Sequence, residues 1–278
     1  QKAVDRLYGQ GGSGQVFNGV TIPSGYSSSG TPTHLVTTYT YDAQGRLDTT
    51  TASDGTVTKQ FHTKLADGKM AHLGVPRVVT SGTTTYYGPA SYSVTNQAGQ
   101  TVLSSTVAFS GGTTTTAIAS WITTTAADPI TALATGTVTR LSTNVYSSDG
   151  QRLDEVRTYF AIPSTLPGTE GTHYDAVRYG YDGMGRRWRV KDATGTITRS
   201  VYDTMGRQTE SWTGTNDSGF TGGESSGTDN MTKVEVREYD GGTSGKDSLL
   251  TKVTRDPDGN WATTTDQRVT KYTYDGRN

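Results

Sequence analysis

Polar and apolar residues alternate along most of this chain, in short runs that end at Gly, Asp, Asn or Pro. Residues 35–41 (LVTTYTY) and 56–63 (TVTKQFHT) are two such runs, and Asp-Ala-Gln-Gly follows the first. A period of two is that of a strand with one buried face, and Asp, Asn and Gly are common turn residues. No window of about eleven residues shows the period of an α-helix. The pattern therefore predicts an all-β chain of antiparallel hairpins.

One phrase recurs at the ends of these runs: Tyr, Asp, two variable residues, Gly and Arg. Tyr202 follows Tyr181 by 21 residues, and the other letters of the phrase keep the same spacing. A fixed period of this length is typical of repeat proteins, in which each unit is one supersecondary element. The copies are Tyr41, Asp42, Gly45 and Arg46; Tyr181, Asp182, Gly185 and Arg186; Tyr202, Asp203, Gly206 and Arg207; a shortened one at Tyr274 and Asp275; and partial ones at Tyr239-Asp240 and 145–153.

Each letter of the phrase has a structural explanation. The Asp carboxylate accepts a hydrogen bond from the backbone N–H two residues on, and Gly adopts the positive φ that closes a hairpin turn. The Arg guanidinium either stacks on a neighbouring Tyr ring or pairs with the turn carboxylate. The Tyr rings are expected to form a cross-strand ladder, in which Phe61 takes a Tyr position. Because Asn makes the same turn, Asp203→Asn is expected to be nearly neutral.

The repeated Tyr-Asp-x-x-Gly-Arg phrase resembles the YD repeat of Rhs-type proteins, over roughly 35–64 and 174–278. Proteins of this family form long sheets of stacked hairpins that spiral into a hollow shell. In many bacterial members the shell encloses a C-terminal toxin, and in Tc-type toxin subunits and animal teneurins it is a large extracellular scaffold. The resemblance implies stacked antiparallel β-hairpins in a curved or spiral, shell- or solenoid-like sheet, and an extracellular or cell-surface location. The family's autoprotease segment has no counterpart here, so only the repeat residues carry over, as structural residues.

The regularity of the repeat divides the chain into three stretches. They are 1–33, an irregular N-terminal segment; 34–173, degenerate hairpin repeats; and 174–278, regular repeats that are truncated at the C-terminal end. Within the first stretch, 15–22 predicts a short strand pair that turns at Asn18-Gly19. The part at 65–145 is either degenerate repeat, which its unchanged Thr-rich texture favours, or an inserted β-sandwich. The last hairpin stops where a returning strand is expected, which indicates a piece of a longer chain or ends that dock on other copies.

The composition supports a β protein with a thin core, and it argues against a nucleic-acid partner and a membrane span. Only 31% of the 278 residues are hydrophobic, but a net charge of −1 is not typical of a disordered chain. The 16 Tyr residues supply strand-forming side chains with an apolar face. The balance of 25 Lys and Arg against 26 Asp and Glu argues against a nucleic-acid partner bound by a basic face. The chain has no cysteine and no apolar run long enough for a membrane span.

No pattern of catalytic or metal-binding residues emerges. The four histidines show no His-x-x-x-His spacing, His62 and His72 are interpreted as strand-face residues, and no Gly-x-Ser-x-Gly elbow is present. We therefore predict a non-enzymatic protein with no catalytic residue, no metal site and no cofactor. Calcium is left open, because Asp256–Asn260 and Asn216–Asn230 loosely resemble calcium loops. Both lack the full ligand pattern, which favours solvated turns.

Functions of different classes fit this chain. The first is structural: a segment of a shell or fibre in which copies of the chain, or the remainder of a longer one, join end to end by strand addition. The second is binding: an adhesin-like module that stacks sugar rings on Trp188, Trp212 and Trp261, or on Trp121. Aromatic residues along a repetitive sheet more often form its packed face. A third role, as part of a shell that encapsulates a C-terminal toxin, needs sequence beyond Asn278.

Overall fold

The computed structural model describes residues 16–17, 20–21, 37–52, 56–65, 67–80, 83–86, 89–109, 136–221, 228–242, 248–257 and 259–275. These residues form 18 β-strands and a 3₁₀ turn at Asp240–Gly242, and none of them lies in an α-helix. The predicted all-β fold of antiparallel hairpins is confirmed. The rest of the predicted 1–33 segment, Trp121 and Asp258 lie outside the described residues.

The chain divides into two compact units, and the first comprises residues 1–142 and 162–168. Its strands are β1 (Val16–Phe17), β2 (Val20–Thr21), β3 (Thr38–Tyr41), β4 (Leu47–Thr51), β5 (Val57–Lys64), β6 (Met70–Thr80), β7 (Thr83–Tyr86), β8 (Ala90–Thr95), β9 (Thr101–Phe109) and the first part of β10 (Gly136–Tyr146). β1 is antiparallel to β2, which confirms the predicted strand pair at 15–22. The main sheet has the antiparallel order β9-β8-β6-β5-β4-β3, and β7 pairs with β6 outside this path.

The second unit comprises residues 143–161 and 169–278. Its further strands are β11 (Leu153–Tyr159), β12 (Tyr174–Tyr181), β13 (Arg187–Lys191), β14 (Ile197–Tyr202), β15 (Gln208–Gly214), β16 (Thr232–Tyr239), β17 (Leu250–Arg255) and β18 (Arg268–Lys271). They lie in the sheet in chain order, and each is antiparallel to the next. The stretches 1–33, 34–173 and 174–278 are defined by how regular the repeat is, whereas the two units are defined by compactness. The division into three stretches therefore stays a prediction.

A β-bulge occurs where a repeat Tyr ends its strand. Gly180 is opposite Arg189, but Tyr181 is opposite Arg187, so the returning strand carries one extra residue. The register shifts in the same way at Tyr202 and at Tyr41. A type I turn followed by a Gly in the left-handed region produces this bulge, so the short phrase determines both the turn and the register.

Buried side chains alternate with polar ones along the strands. On β6, Ala71, Leu73 and Val75 are at most 1% exposed, and the alternating His72 and Gly74 face the other side of the sheet. One hydrophobic core cluster of the second unit consists of Ile197, Trp212 and Met231, with Val201 and Phe220 packed against them.

Candidate functional site in the repeat turns

The Tyr-Asp-x-x-Gly-Arg phrase forms a turn that the Asp side chain holds together. In the turn between β12 and β13, the Gly185 N–H donates to the Asp182 carbonyl at 2.9 Å, and Gly185 has φ +78°. Asp182 Oδ1 accepts from the backbone N–H groups of Met184 and Arg186, both at 2.9 Å. Asp182 Oδ2 accepts from Arg186 Nε at 2.6 Å. One carboxylate therefore satisfies two backbone donors and the guanidinium that ends the phrase.

The other complete copies of the phrase form the same turn. Asp42 Oδ2 accepts from Arg46 Nε at 2.8 Å, and Asp203 Oδ2 accepts from Arg207 Nε at 2.7 Å. Their Oδ1 atoms accept from the same two backbone positions as in the first example. The arrangement is thus a property of the phrase and does not depend on its place in the chain.

Asn96 makes a neutral version of this turn. Its Oδ1 accepts from the backbone N–H groups of Ala98 at 3.0 Å and Gln100 at 2.9 Å. Its amide donates to Gln100 Oε1 at 2.7 Å, where the other turns have Arg. In the three complete copies of the phrase, the residue four positions after Asp is therefore its Arg partner, and in the Asn96 turn the same position holds Gln100. This turn lies within 65–145, where degenerate repeat and inserted β-sandwich both stay predictions.

We expect Asp182→Asn to lower the melting temperature, because the amide that replaces Oδ2 is a donor and faces the donor Nε of Arg186. The sequence alone predicts a nearly neutral change, because Asn can make the same backbone hydrogen bonds. The structure adds the ion pair with Arg186, which Asn cannot make. The double variant Asp182→Asn/Arg186→Gln is expected to lose less than the two single variants combined, because it reproduces the Asn96–Gln100 pair. Thermal unfolding followed by circular dichroism measures all three. Equal melting temperatures for D182N and the unaltered protein would contradict this description of the turn.

The donors around the turn carboxylates lower the pKa of each one. Burial alone would raise the pKa of Asp182, but the backbone N–H and the guanidinium of Arg186 outweigh it and hold the pKa below the ordinary 3.8. The pKa values of Asp42 and Asp203 are lowered against burial in the same way, by the Arg of each turn. The three carboxylates are therefore ionised at neutral pH.

We expect the contribution of these turns to be lost in acid. A carboxylate with a lowered pKa in the folded state stabilises the fold above its unfolded pKa, near 3.8, and this contribution disappears as the pH falls through the lower folded value. The urea midpoint should therefore be nearly constant above about pH 5 and fall below about pH 4. A variant with Asn at positions 42, 182 and 203 should show a shallower fall. Parallel pH curves for the two proteins would show that these turns do not cause the dependence.

Three turn Arg residues also stack on the Tyr ring of the following repeat. The distances from the guanidinium carbon to the ring centroid are 4.5 Å for Arg186 and Tyr202, 4.6 Å for Arg207 and Tyr239, and 5.8 Å for Arg152 and Tyr181. Stacking and carboxylate pairing, which are alternatives from the sequence, occur together in Arg186 and Arg207. The ring contact between these repeats is thus Tyr to Arg rather than the Tyr-to-Tyr contact expected from the sequence.

The Tyr hydroxyls form a second link to the preceding hairpin. Each donates to a backbone carbonyl at the start of that hairpin's returning strand: Tyr181 to Leu153 at 3.0 Å, Tyr202 to Arg187 at 2.9 Å, Tyr239 to Gln208 at 3.0 Å and Tyr274 to Leu250 at 2.8 Å. In the first three cases the accepting residue directly follows the turn Arg. The ring and the hydroxyl of one Tyr therefore bind the same preceding turn.

His62 takes the place of the repeat Tyr in the first unit. Its Nε2 lies 3.0 Å from the carbonyl oxygen of Leu47, which directly follows Arg46. The separation of 15 residues is the same as that between Tyr202 and its acceptor. The expectation that Phe61 occupies this position is wrong by one residue, and neighbouring residues of a strand face opposite sides of the sheet.

Arg207 links two successive repeats by ion pairs. Besides its pair with Asp203, the Nη1 of Arg207 donates to Asp240 Oδ2 at 2.7 Å. The Asp240 side chain is only 2% exposed, and its Oδ1 accepts from the Leu249 N–H at 3.0 Å. The hydrogen bond to Asp203, and then that to Asp240, raise the pKa of Arg207. Arg207 therefore takes part both in its own turn, through Asp203, and in a contact with the following repeat, through Asp240.

Arg199 forms the centre of one aromatic cluster in the second unit. Its guanidinium carbon lies 3.6 Å from the centroid of the Trp188 ring and 4.8 Å from that of Phe220. Its NH1 pairs with Asp217 at 3.2 Å, and Asp217 also pairs with Arg189 at 2.6 Å. Burial lowers the pKa of Arg199, and the hydrogen bond from Arg189 lowers that of Asp217. One face of the Trp188 ring is therefore occupied by a cation of the protein itself.

Lys233 forms the centre of a second cluster, between Trp212 and Trp261. Its Nζ lies 5.2 Å from the centroid of each ring. Trp212 is fully buried, and its Nε1 donates to Glu210 at 2.8 Å. The Trp261 Nε1 donates to the Lys233 carbonyl at 2.7 Å. Because Trp212 has no exposed ring face, it cannot stack on a sugar ring. Among these three tryptophans, Trp188 and Trp261 remain candidates, and sugar stacking on them stays a prediction.

The loops compared with calcium loops direct their described carboxylates towards donors of the protein. Asp256 is buried and accepts from the Gly259 N–H at 2.9 Å and from Gln267 Nε2 at 3.2 Å. Asp217 is held by the two arginine pairs given above. In the described part of the chain, no group of three or more His, Asp or Glu is placed to hold a metal ion. These contacts explain both carboxylates as turn and ion-pair groups.

Two Arg–Glu–Arg clusters share a geometry that the sequence does not reveal. Glu155 accepts from Arg157 Nε at 2.5 Å and from Arg178 Nε at 2.9 Å. In the second cluster, Glu235 accepts from Arg237 Nε and Arg255 Nε, both at 2.7 Å. The second Arg is the direct cross-strand neighbour of each Glu. A Glu-x-Arg pattern on a strand is visible in the sequence, but the third member depends on the register.

His62 and His72 face each other across β5 and β6. They are directly opposite in the antiparallel register, with ring centroids 4.7 Å apart and ring planes tilted by 37°. Burial, and secondly the neighbouring His62, lower the pKa of His72. His173 lies elsewhere, and its Nδ1 accepts from the Thr169 N–H at 3.0 Å.

No protein-family model matches the chain, and no curated protein sequence matches it. Among solved structures, the chain is similar to one of TcdB2-TccC3-TEV (14% identity, 80% of this chain, TM-score 0.33) and one of TcdB2-TccC3-Cdc42 (13%, 83%, 0.28). It is also similar to the Photorhabdus luminescens Tc holotoxin pore with TccC3-D651A (12%, 82%, 0.28). The chain spans 10% to 12% of the length of these matched chains, and at such TM-scores the likeness carries no inference about function. The described residues include no helix that is long and apolar enough to cross a membrane.

Proposed function

We propose that this chain is a non-enzymatic structural protein, a segment of an extracellular or surface shell or fibre built from YD repeats. The observation that carries the proposal is what the motif residues bind. Asp182 holds its own turn, Arg186 stacks on Tyr202 of the next repeat, and the Tyr202 hydroxyl donates back to the preceding hairpin. The motif side chains are therefore engaged in joining hairpins rather than in presenting a ligand site.

The junction between repeats can be extended by adding further hairpins. Arg186 stacks on Tyr202, and the turn that follows Tyr202 supplies Arg207, which stacks on Tyr239 in the same way. Each hairpin thus presents the same group to its successor. Contacts between nearest neighbours are the basis on which repeat proteins lengthen. The resemblance to Rhs/YD-repeat proteins supports the same function and an extracellular or cell-surface location.

Assembly would proceed by adding strands end to end, to another copy of the chain or to the remainder of a longer one. All four residues of β18 are exposed, and within the described residues this strand pairs only with β17. The Tyr272 N–H donates to the Thr251 carbonyl, so alternate N–H groups face β17 and that of Val269 faces away. The outer edge of β18 therefore offers donors and acceptors to an incoming strand.

Val269→Pro tests this assembly, because proline removes the outward N–H and leaves the pairing with β17 in place. Val269→Thr keeps the N–H and is the matched control. Sedimentation velocity and negative-stain electron microscopy over a concentration series are expected to show end-to-end species for the unaltered protein and V269T, and fewer for V269P. Single particles at every concentration would overturn the proposed assembly.

A glycan-binding, adhesin-like module is the alternative function. It rests on Trp188 and Trp261, which are partly exposed and each have a cation against the ring. Aromatic faces that remain open can stack on sugar rings. A glycan array probed with the unaltered protein and with Trp261→Ala separates the two functions. Saturable binding that the variant loses would favour the module, and an array without hits would remove it.

Part of a toxin-encapsulating shell is the remaining alternative, and it concerns sequence beyond Asn278. The complete reading frame on both sides of the chain tests it directly. Further Tyr-Asp-x-x-Gly-Arg repeats followed by a separate C-terminal domain would favour a toxin carrier. Repeats that continue without such a domain would favour a shell or fibre alone.

A further inference from the structure

The polar face of β5, β6 and β8 holds two histidines in a fixed relation. His62 and His72 are opposite each other, both are partly buried, and their ring centroids are 4.7 Å apart. The opposite face of β6 carries core residues such as Leu73, which is fully buried, so packing fixes the backbone beneath the pair. Two side chains that already converge bind a shared ligand at a lower entropic cost than two mobile ones.

The hydrogen bond of His62 determines which of its nitrogens is free. The Leu47 carbonyl can only accept, so Nε2 carries the proton and donates it over 3.0 Å. In the neutral ring the lone pair then lies on Nδ1. Metal-binding histidines are usually arranged in this way, with one ring nitrogen donating to a carbonyl or carboxylate and the other on the metal.

A buried oxygen without a hydrogen-bond partner belongs to the next residue pair on the face that carries the two histidines. Gln60 and Gly74 are opposite each other two residues along the same strands, on the same face as His62 and His72. Gln60 Oε1 is buried and has no hydrogen-bond partner. It lies over Gly74, where an added Cβ would come within 2.8 Å of this oxygen and 2.9 Å of Ser91 Oγ. A buried acceptor without a donor is destabilising, and a water molecule held by an ion is a donor that would satisfy it.

We propose that His62 and His72 form a two-histidine site for a divalent cation of the Zn²⁺, Ni²⁺ and Cu²⁺ class. Water completes the coordination, and Gln60 Oε1 accepts a hydrogen bond from one such water. Imidazole suits these ions, whereas Ca²⁺ and Mg²⁺ take oxygen ligands. Two nitrogens on a tetrahedral Zn²⁺ lie about 3.3 Å apart, and rings with the observed centroid separation of 4.7 Å can present them at that distance. The site uses Nδ1 of His62 and leaves the hydrogen bond from its Nε2 to the Leu47 carbonyl in place, so it goes beyond the proposed structural function.

Isothermal titration calorimetry of the untagged protein with Ni²⁺ and with Zn²⁺ tests the site. We expect one saturable site per chain, a loss of about tenfold or more in affinity for His62→Gln and for His72→Gln, and no heat with Ca²⁺. His173→Gln is the matched control and should bind like the unaltered protein, because the His173 Nδ1 already accepts from the Thr169 N–H. Absence of saturable heat with both metals, or unchanged affinity in both H62Q and H72Q, would overturn the proposal.

Paramagnetic broadening provides a test that does not depend on how the variants fold. Substoichiometric Ni²⁺ added to the unaltered protein is expected to broaden the imidazole proton signals of His62 and His72 first in an NMR spectrum. The signals of His173 should remain sharp at the same ratio. Broadening of His173 ahead of the pair would place the ion elsewhere and contradict the site.

Discussion

Trp212→Ala is expected to lower the free energy of unfolding by about 3–5 kcal/mol, the usual range for removing a large aromatic side chain from a core. Trp212 is fully buried and packs with Ile197 and Met231, and its ring meets that of Phe220 edge to face at 5.1 Å. Urea denaturation followed by circular dichroism measures the change.

Trp261→Ala is the matched control for this substitution. Trp261 is the same residue type, stacks against the same Lys233 and is only partly buried. Its removal is expected to cost clearly less, because solvent already reaches the site. Equal losses for the two variants would contradict the assignment of Trp212 as the centre of the core.

Asp217→Ala is expected to lower the free energy of unfolding by about 3 kcal/mol, because it leaves a buried guanidinium without its carboxylate. Arg199 is 5% exposed between Trp188 and Phe220, and it forms an ion pair of 3.2 Å with Asp217. Arg189 loses its partner in the same variant. The loop that carries Asp217 should therefore detach from β13 and β14. Urea denaturation gives the loss in stability, and hydrogen exchange of the 216–220 amides reports the detachment.

Glu170→Ala is the matched control for Asp217→Ala, because it also removes a carboxylate that pairs with Arg, but from an exposed position. Its partner Arg178 keeps a second ion pair with Glu155 at 2.9 Å. Surface ion pairs of this kind contribute about 0–1 kcal/mol. A loss for E170A as large as that for D217A would show that burial of Arg199 is not the cause.

The hairpins and their turns follow from the sequence because their causes are local. An Asp whose carboxylate reaches the backbone two and four residues on, and a Gly at positive φ, lie within one short phrase such as Asp182 to Arg186. The strand pair at β1 and β2 follows equally from a two-residue turn signal between short apolar runs. Local chemistry of this kind is readable wherever the phrase is complete.

The links between hairpins depend on register and are not contained in any short stretch. Tyr181 finds its acceptor 28 residues away and Tyr239 finds its acceptor 31 residues away. A bulge or an insertion between two repeats changes these separations without changing the phrase. The replacement of the repeat Tyr by His62 rather than Phe61 has the same origin, since a shift of one residue reverses the face of the sheet.

The environment of the tryptophans also lies beyond the sequence. Trp188, Trp212 and Trp261 all have mainly polar neighbours in the sequence, but of these three only Trp212 is fully buried. Burial is decided by the loop residue Phe220 and by Met231, which the long connection after β15 brings against Ile197. A glycan-binding role and a packing role therefore cannot be distinguished before the partners of each ring are known.

A double-mutant cycle between Arg186 and Tyr202 tests the central claim most directly, namely that the motif residues join one repeat to the next. The variants are Arg186→Met, Tyr202→Leu and their combination, with stability measured by urea denaturation. A guanidinium stacked at 4.5 Å on a partly exposed ring predicts a favourable coupling of about 0.5–1 kcal/mol. The same cycle between Arg152, which lies against the Tyr181 ring instead, and Tyr202 is the control within the same unit and should give none. Strictly additive losses at Arg186 and Tyr202 would contradict the claim.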